Sequence, residues 1–245
     1  MLNTDSPRLQ PLLVRAVVEA LHSIFTENRH ADKVIEFILR NNKKAGSRDR
    51  AFIAENTYEI VRYYRLYTEI LGHIPLTHWD FWQICGIHFV LGSHGSLPNL
   101  IEFKSLDADA IRNKSEEVRN NRAIRESIPD WLDALGESEL GEAWNNTLSN
   151  LNKPAKVVLR TNRLKTDRET LQKALATDNI DTAAVGPADS LVLNRRQNVF
   201  QSKAFKDGFF EVQDYSSQLV AALLAPAPGM RVVDACAGSG GKTLH

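Results

Sequence analysis

Along the front of the chain, apolar residues recur every three or four positions, the period of one buried helix face. Leu12, Leu13, Ala16, Val17, Ala20, Leu21, Ile24 and Phe25 predict a helix from Leu9 to Thr26. Val34, Ile35, Ile38 and Leu39 predict a shorter one after it. The polar run from Asn41 to Ser47 reads as a loop, with Ser47 a good N-cap. Phe52, Ile53, Ile60, Val61, Tyr64 and Leu71 then carry a helix from Arg48 to Leu71, stopped by Gly72 and Pro75. Another apolar helix runs from about Trp79 to Leu91 and ends at Gly92. No alternation of period two interrupts this stretch, so an all-helical bundle is expected.

From Gly92 to about Asn121 the pattern loosens into one or two short helices and a connector. Pro129 stands where a first helical turn tolerates it. Trp131, Leu132 and Leu135 would form that helix's buried face, and Leu140, Trp144 and Leu148 the next one's. Then the period changes. Val157–Thr161 reads as a strand, and Thr166 or Asp167 caps a helix carrying Leu171, Ala174 and Leu175. Ile180–Val185, Ser190–Leu193 and Val199–Gln201 read as short strands, so a β-α-β-β order predicts a small α+β unit. Phe209–Val212 is a further strand, followed by a helix through Gln218, Leu219, Val220, Leu223 and Leu224, capped by Asp214 or Ser216.

Past Pro226 and Pro228-Gly229, Val232–Val233 has the look of a buried parallel strand closed by Asp234. Gly238, Gly240 and Gly241 crowd into a tight turn, and Lys242-Thr-Leu opens a helix. Strand, acid, glycine turn and helix start describe the first crossover of a doubly wound, Rossmann-like α/β sheet. The expected layout is a helical domain over residues 1–125, linker helices and the α+β unit over 126–205, and the start of the α/β domain over 206–245.

Three cofactor classes use such a turn. A Walker loop needs four residues between its first glycine and Gly-Lys, and Gly238 to Gly241 is too short. The dinucleotide pattern G-x-G-x-x-G would require glycine where Thr243 stands. S-adenosylmethionine fits better, because its methionine end needs backbone groups more than a pyrophosphate cradle. On this segment alone, a strand-to-helix turn without a ligand stands beside that reading.

Composition narrows the classes further. The 245 residues carry zero formal net charge, so no global field draws a polyanion and local charge must be read instead. The two cysteines, Cys85 and Cys236, make no disulfide framework, which points to a reducing cytoplasm. The N-terminus lacks an apolar signal core, and no apolar run reaches membrane-spanning length, so a soluble protein is expected. His73, His78, His88 and His94 form no metal pattern with the cysteines, and no metal is expected.

Local charge gathers twice. Arg40, Lys43, Lys44, Arg48 and Arg50 surround one loop, and Arg62 and Arg65 extend the run, with Tyr63, Tyr64 and Tyr67 interleaved. Lys153, Lys156, Arg160, Arg163, Lys165 and Arg168 make a second concentration, partly offset by Asp167 and Glu169. Cations beside tyrosines suit unpaired RNA, which is held by phosphate contacts and stacking. A solvated helix face with half-buried tyrosines is the other reading of the same residues.

Asp234-Ala-Cys-Ala-Gly-Ser-Gly-Gly-Lys-Thr243 resembles the cofactor loop of the RsmB/NOP/Sun family of RNA 5-cytosine methyltransferases, usually Asp-Ala-Cys-Ala-Ala-Pro-Gly-Gly-Lys-Thr. Val212-Gln-Asp-Tyr-Ser-Ser-Gln-Leu219 is similar to that family's Val-Gln-Asp-x-x-Ser-Gln-Leu, and Leu159-Arg-Thr-Asn-Arg-Leu-Lys165 to its Leu-Arg-Val-Asn-x-Leu-Lys. Pro129-Asp-Trp-Leu132 resembles its Pro-x-Trp-Leu, and Ser47-Arg-Asp-Arg-Ala-Phe-Ile53 its NusB-like helical domain. Gly238-Ser239 replaces the usual Ala-Pro, which makes for a more flexible loop.

The resemblance implies a NusB-like RNA-binding domain, an RNA-recognition-like subdomain and a Rossmann-like S-adenosylmethionine domain. It places Asp234, Cys236, Ala237, Gly238, Ser239, Gly240, Gly241 and Lys242 at the cofactor. It places Arg40, Lys43, Lys44, Arg48, Arg50, Arg62, Arg160, Arg163 and Lys165 at RNA, of which ribosomal RNA is the family's commonest substrate. Carbon 5 of cytosine becomes nucleophilic only after a thiolate adds to carbon 6, and a base must later remove the carbon 5 proton. The family draws on cysteines in Pro-Cys and Thr-Cys motifs well downstream of the cofactor loop, and neither occurs here. Cys236 is not that nucleophile, so no catalytic residue is expected before His245, and the chain alone is expected to be inactive. A non-catalytic RNA-binding or assembly protein with the same front end remains an alternative, as does methylation of another base.

Overall fold

The computed structural model describes residues 11–92, 95–186 and 189–245, so His94 and the predicted helix start at Leu9 lie outside the described residues. The chain forms two compact units, divided between Lys153 and Pro154.

The first unit is helical. Helices α1 (Pro11–Thr26), α2 (Ala31–Asn41), α3 (Ser47–Arg62), α4 (Tyr64–Leu71) and α5 (His78–Leu91) are followed by a 3-10 turn (Ile101–Phe103). Then come α6 (Ala108–Val118), α7 (Arg122–Arg125), α8 (Asp130–Leu140) and α9 (Ala143–Leu151). Helix α1 is buried on two sides. Val14, Val17, Val18 and Leu21 join Phe81, Ile84, Cys85 and Phe89 of α5 in the main core. Ala16 and Ala20 instead meet Val34, Ile38 and Ile53 in a second cluster, where their small side chains let α2 and α3 approach.

The helix expected over Arg48–Leu71 is two helices. Tyr63 leaves helical geometry (φ −103°, ψ 21°) between α3 and α4. Gly72 ends α4 in the left-handed conformation. Helix α3 takes Gly46 rather than Ser47 as its N-cap, with the Asp49 carboxylate accepting the Gly46 N–H at 3.1 Å. Trp131 and Leu135 of α8 do not form a buried face, being 66% and 50% exposed. What α8 buries is Gly136, against the indole of Trp144 on α9. The boundary read near Arg125 falls inside this unit, because Arg65 donates to the Ile128 carbonyl and pairs with Asp130 at 2.7 Å.

The second unit runs β1 (Val158–Thr161), α10 (Arg168–Thr177), β2 (Thr182–Ala184), β3 (Ser190–Leu193), α11 (Lys203–Lys206), β4 (Phe210–Val212) and α12 (Tyr215–Leu224). Its four strands are all antiparallel in the order β2-β3-β1-β4. A βαββαβ chain in that order is the ferredoxin-like arrangement. Asp167 caps α10 by accepting Thr170 N–H at 2.8 Å, and Asp214 caps α12 by accepting Ser216 N–H at 2.9 Å. Val199–Gln201 is a turn rather than a strand, because the Asn198 side chain takes the Phe200 N–H and Ser202 caps α11. Phe209–Val212, read as opening the next domain, supplies the edge strand β4 beside β1. Leu159, Leu171, Leu175, Leu191 and Phe210 fill the core between the sheet and α10–α11.

No helix among the described residues is long and apolar enough to cross a membrane.

Candidate cofactor loop and nucleic-acid interface

The expected strand at Val232–Val233 does not form. Val233 is 88% exposed and Val232 55%, and no described strand pairs with them. A parallel strand is buried only between neighbours in its own sheet, and the four strands among the described residues belong to the ferredoxin-like unit. The glycine turn after it is nonetheless organised. The Asp234 carboxylate accepts the Cys236 N–H at 3.0 Å and the Thr243 hydroxyl at 2.6 Å, closing the loop from both ends. Those two donors, the hydroxyl foremost, hold its pKa below the ordinary aspartate value. Gly238 and Gly240 take φ of 53° and 85°, which L side chains rarely adopt, so glycine is favoured at both.

The exit of the loop is anchored on the sheet. Arg160 of β1 donates to the Gly241 carbonyl at 3.2 Å and to the Leu244 carbonyl at 3.4 Å. Gln213 donates to the same Gly241 carbonyl at 2.8 Å. Beneath them the Ser190 hydroxyl donates to Gln218 at 2.7 Å, and Gln218 donates to the Gln213 carbonyl at 3.0 Å.

The loop residues fit the backbone-seeking end of S-adenosylmethionine. Cys236, Ala237, Gly238, Ser239, Gly241 and Lys242 are exposed, and a Cβ built at Gly241 would meet nothing within 4 Å. A ligand can therefore approach this backbone unobstructed. Cys236 is a free, exposed thiol inside the loop. Cys85 is fully buried among the α5 core residues, and burial pushes its thiol well above the usual range, which withholds the thiolate.

The basic residues divide by environment. Lys43, Lys44 and Arg48 are exposed around the α2–α3 loop without an ion-pair partner among the described residues. Arg40 is exposed but pairs with Glu36 at 2.6 Å. Arg50 donates to the Leu39 carbonyl at 2.9 Å, and Arg62 to Glu59 and to the Asn152 carbonyl. Arg163 pairs with Asp189 at 2.8 Å, and Lys165 donates to the Asp207 carbonyl at 2.8 Å. Arg160 is only 6% exposed. The tyrosines face inward: Tyr64 stacks on Phe25, and Tyr67 is buried with its hydroxyl 3.0 Å from His88 Nδ1. Arg195 and Arg196, which the sequence reading passed over, are exposed just after β3. Because the Leu193 N–H donates to the Val157 carbonyl, they lie near exposed Lys156 at the start of β1. The signal was a paired arginine one residue beyond a strand.

Comparison with known proteins bears on the ferredoxin-like unit. Residues 128–200 match the RsmF/B-like methyltransferase ferredoxin-like domain. The chain is 33% identical over 130 residues to ribosomal RNA small subunit methyltransferase B of Pseudomonas syringae pv. tomato, covering 53% of this chain and 29% of that protein. It is 38% identical over 122 residues to the probable enzyme of that name in Synechocystis, covering 49% of this chain and 27% of that protein. In Xylella fastidiosa the match is 38% over 118 residues, 48% of this chain and 28% of that protein. The crystal structure of PH0851 shares the fold, with a TM-score of 0.65 at 20% identity over 96% of this chain and 60% of that one. The chain spans less than a third of the length of these curated relatives, which are ribosomal RNA small subunit methyltransferases B.

Proposed function

We propose that this chain is the front part of an S-adenosylmethionine-dependent RNA cytosine-5 methyltransferase acting on ribosomal RNA in the cytoplasm. Its helical unit corresponds to a NusB-like RNA-binding domain, and the segment after α12 to the opening of a Rossmann-like cofactor domain. The observation that carries the reading is the loop closed by Asp234, with Gly238 and Gly240 in left-handed geometry and open space before Gly241. Asp234 orients the turn, and Cys236 through Lys242 offer their backbone to the cofactor's methionine end. When bound, the cofactor supplies an activated methyl group. Lys43, Lys44 and Arg48, with Lys156, Arg195 and Arg196, are the cations left exposed to meet phosphate.

The carbon 6 nucleophile is neither cysteine of this chain. Cys85 is sealed in the core, and Cys236 occupies a loop position that the family also fills with cysteine without using it for attack. Reading the encoding frame past His245 for Pro-Cys and Thr-Cys motifs tests the cytosine-5 assignment. Calorimetry with S-adenosylmethionine and fluorescence anisotropy with single-stranded RNA test the rest. Cofactor binding of micromolar strength or weaker and salt-dependent RNA binding are expected. Absence of both would sink the reading, and nanomolar cofactor binding would refute an incomplete pocket.

A further inference from the structure

Arg160 was marked by its charge as an RNA contact, yet it stands on a central strand, opposite Ser190 of β3 and Glu211 of β4. Successive strand residues face opposite sides of a sheet, so Arg160 lies on the face away from its core neighbour Leu159. That face holds a buried polar layer beside Val158 and Val192. Ser190, Gln213 and Gln218 are buried around it; Ser190 donates to Gln218 and Gln218 to the Gln213 carbonyl within the layer. Burial lowers the arginine's pKa and is compensated in part by Glu211 and Asp189. A guanidinium remains charged in a protein, so this one carries a desolvation cost that its bonds must offset. Those bonds go to two carbonyls of the glycine loop's exit, and Gln213 adds a third bond to the same stretch.

We propose that Arg160 and Gln213 are positioning residues that fix the exit of the glycine loop against the ferredoxin-like sheet. Two donors on the Gly241 carbonyl fix the orientation of the peptide plane between Gly241 and Lys242. In a trans peptide the N–H points opposite to the C=O. Pinning the carbonyl to the sheet therefore turns the Lys242 N–H away from Arg160 and Gln213. The ferredoxin-like unit is then the template on which the loop is held, and Arg160 does not contact phosphate. That the held loop serves S-adenosylmethionine rests on the function proposed above, whereas the clamp itself does not.

The test uses the full 245-residue chain and its glycine amide resonances. Heteronuclear 15N relaxation is measured for Gly238, Gly240 and Gly241 in the parent, Arg160→Met and Gln213→Met, with exposed Arg163→Ala as control. In the parent, order parameters near about 0.85 are expected for Gly240 and Gly241, falling below about 0.6 in both methionine variants. The β1 and β3 amides and the control should not change. Unchanged loop order in Gln213→Met and Arg160→Met overturns the clamp. Loosening of the whole sheet together with the loop overturns it too, since the pair would then be ordinary core. RNA binding with an undiminished salt slope in Arg160→Met is expected, and a slope reduced by about one phosphate contact would return Arg160 to the RNA interface. Loop loosening in a parent that never binds S-adenosylmethionine would leave the clamp standing and remove the cofactor reading instead.

Discussion

Gly136 of α8 faces the indole of Trp144 so closely that a Cβ built on it would lie 2.2 Å from the ring. The same indole donates to Asp133 at 2.8 Å, and Asp133 also accepts from Arg122 at 2.6 Å, so the ring cannot move aside without breaking a half-buried network. Glycine inside a helix ordinarily costs about 1 kcal/mol relative to alanine. Here the sign reverses. Gly136→Ala should destabilise the chain by about 1–3 kcal/mol through overpacking. Thermal unfolding followed by circular dichroism checks it, and a raised midpoint would show that Trp144 yields freely.

A second glycine makes a comparable contact in the ferredoxin-like unit. Gly186 has φ of 54°, and its built Cβ would lie 1.6 Å from the Tyr215 ring. Gly186→Ala should destabilise the unit by displacing that ring and straining the left-handed backbone. Adding Tyr215→Ala should recover much of the loss and leave the left-handed backbone cost of about 1–2 kcal/mol. Denaturant unfolding of both variants measures the coupling, and strict additivity would contradict the contact.

Asp80 holds the start of α5. Its carboxylate accepts the Leu76 and Thr77 N–H groups at 3.0 and 2.9 Å, while the Thr77 hydroxyl accepts the Asp80 N–H at 3.2 Å. Partial burial alone would raise its pKa, but these bonds, with a contribution from His73, hold it well below the ordinary aspartate range. The folded chain therefore binds this proton less readily than the unfolded chain. Its stabilisation is complete above the unfolded value of about 3.9 and is lost as pH falls through the folded value. Asp80→Asn should lower stability near neutral pH by about 1 kcal/mol and flatten the acid limb. Urea unfolding from pH 6 down to pH 3 tests this, and parallel pH curves for both proteins would rule out Asp80 as the titrating group.

The helices were legible because α1 and α5 repeat apolar residues on faces the core uses, and Asp167 and Asp214 are short polar residues placed where helices begin. The break at Tyr63 was not, since no glycine or proline marks it and only the backbone geometry separates α3 from α4. Val199–Gln201 has a strand's composition, but side-chain caps on either side outcompete a ladder that has no partner. Strand β4 was recognised as a strand and given to the wrong neighbour, because pairing across many residues leaves no local mark. The glycine loop was fully visible, while its anchor was not. Sequence reports that Arg160 is charged, and only the sheet shows that it is buried beneath Gly241.

The same division between charge and exposure decides which cations should meet RNA. Lys43, Lys44 and Arg48 are exposed and have no ion-pair partner among the described residues, so phosphate can reach them without displacing one. Arg50, two residues beyond Arg48, is committed to the Leu39 carbonyl and braces the α2–α3 loop instead. Each single-strand phosphate contact contributes about 0.7 to the slope of log affinity against log salt. Replacing Lys43, Lys44 and Arg48 with alanine should therefore weaken single-stranded RNA binding and lower that slope by about 2. Arg50→Ala should leave the slope unchanged and cost about 1 kcal/mol of stability through its lost hydrogen bond. Anisotropy titrations across a salt series separate the two effects. A triple variant with the parent's slope would exclude this loop, and the exposed cations at Lys156, Arg195 and Arg196 would then be the remaining surface to test by the same measurement.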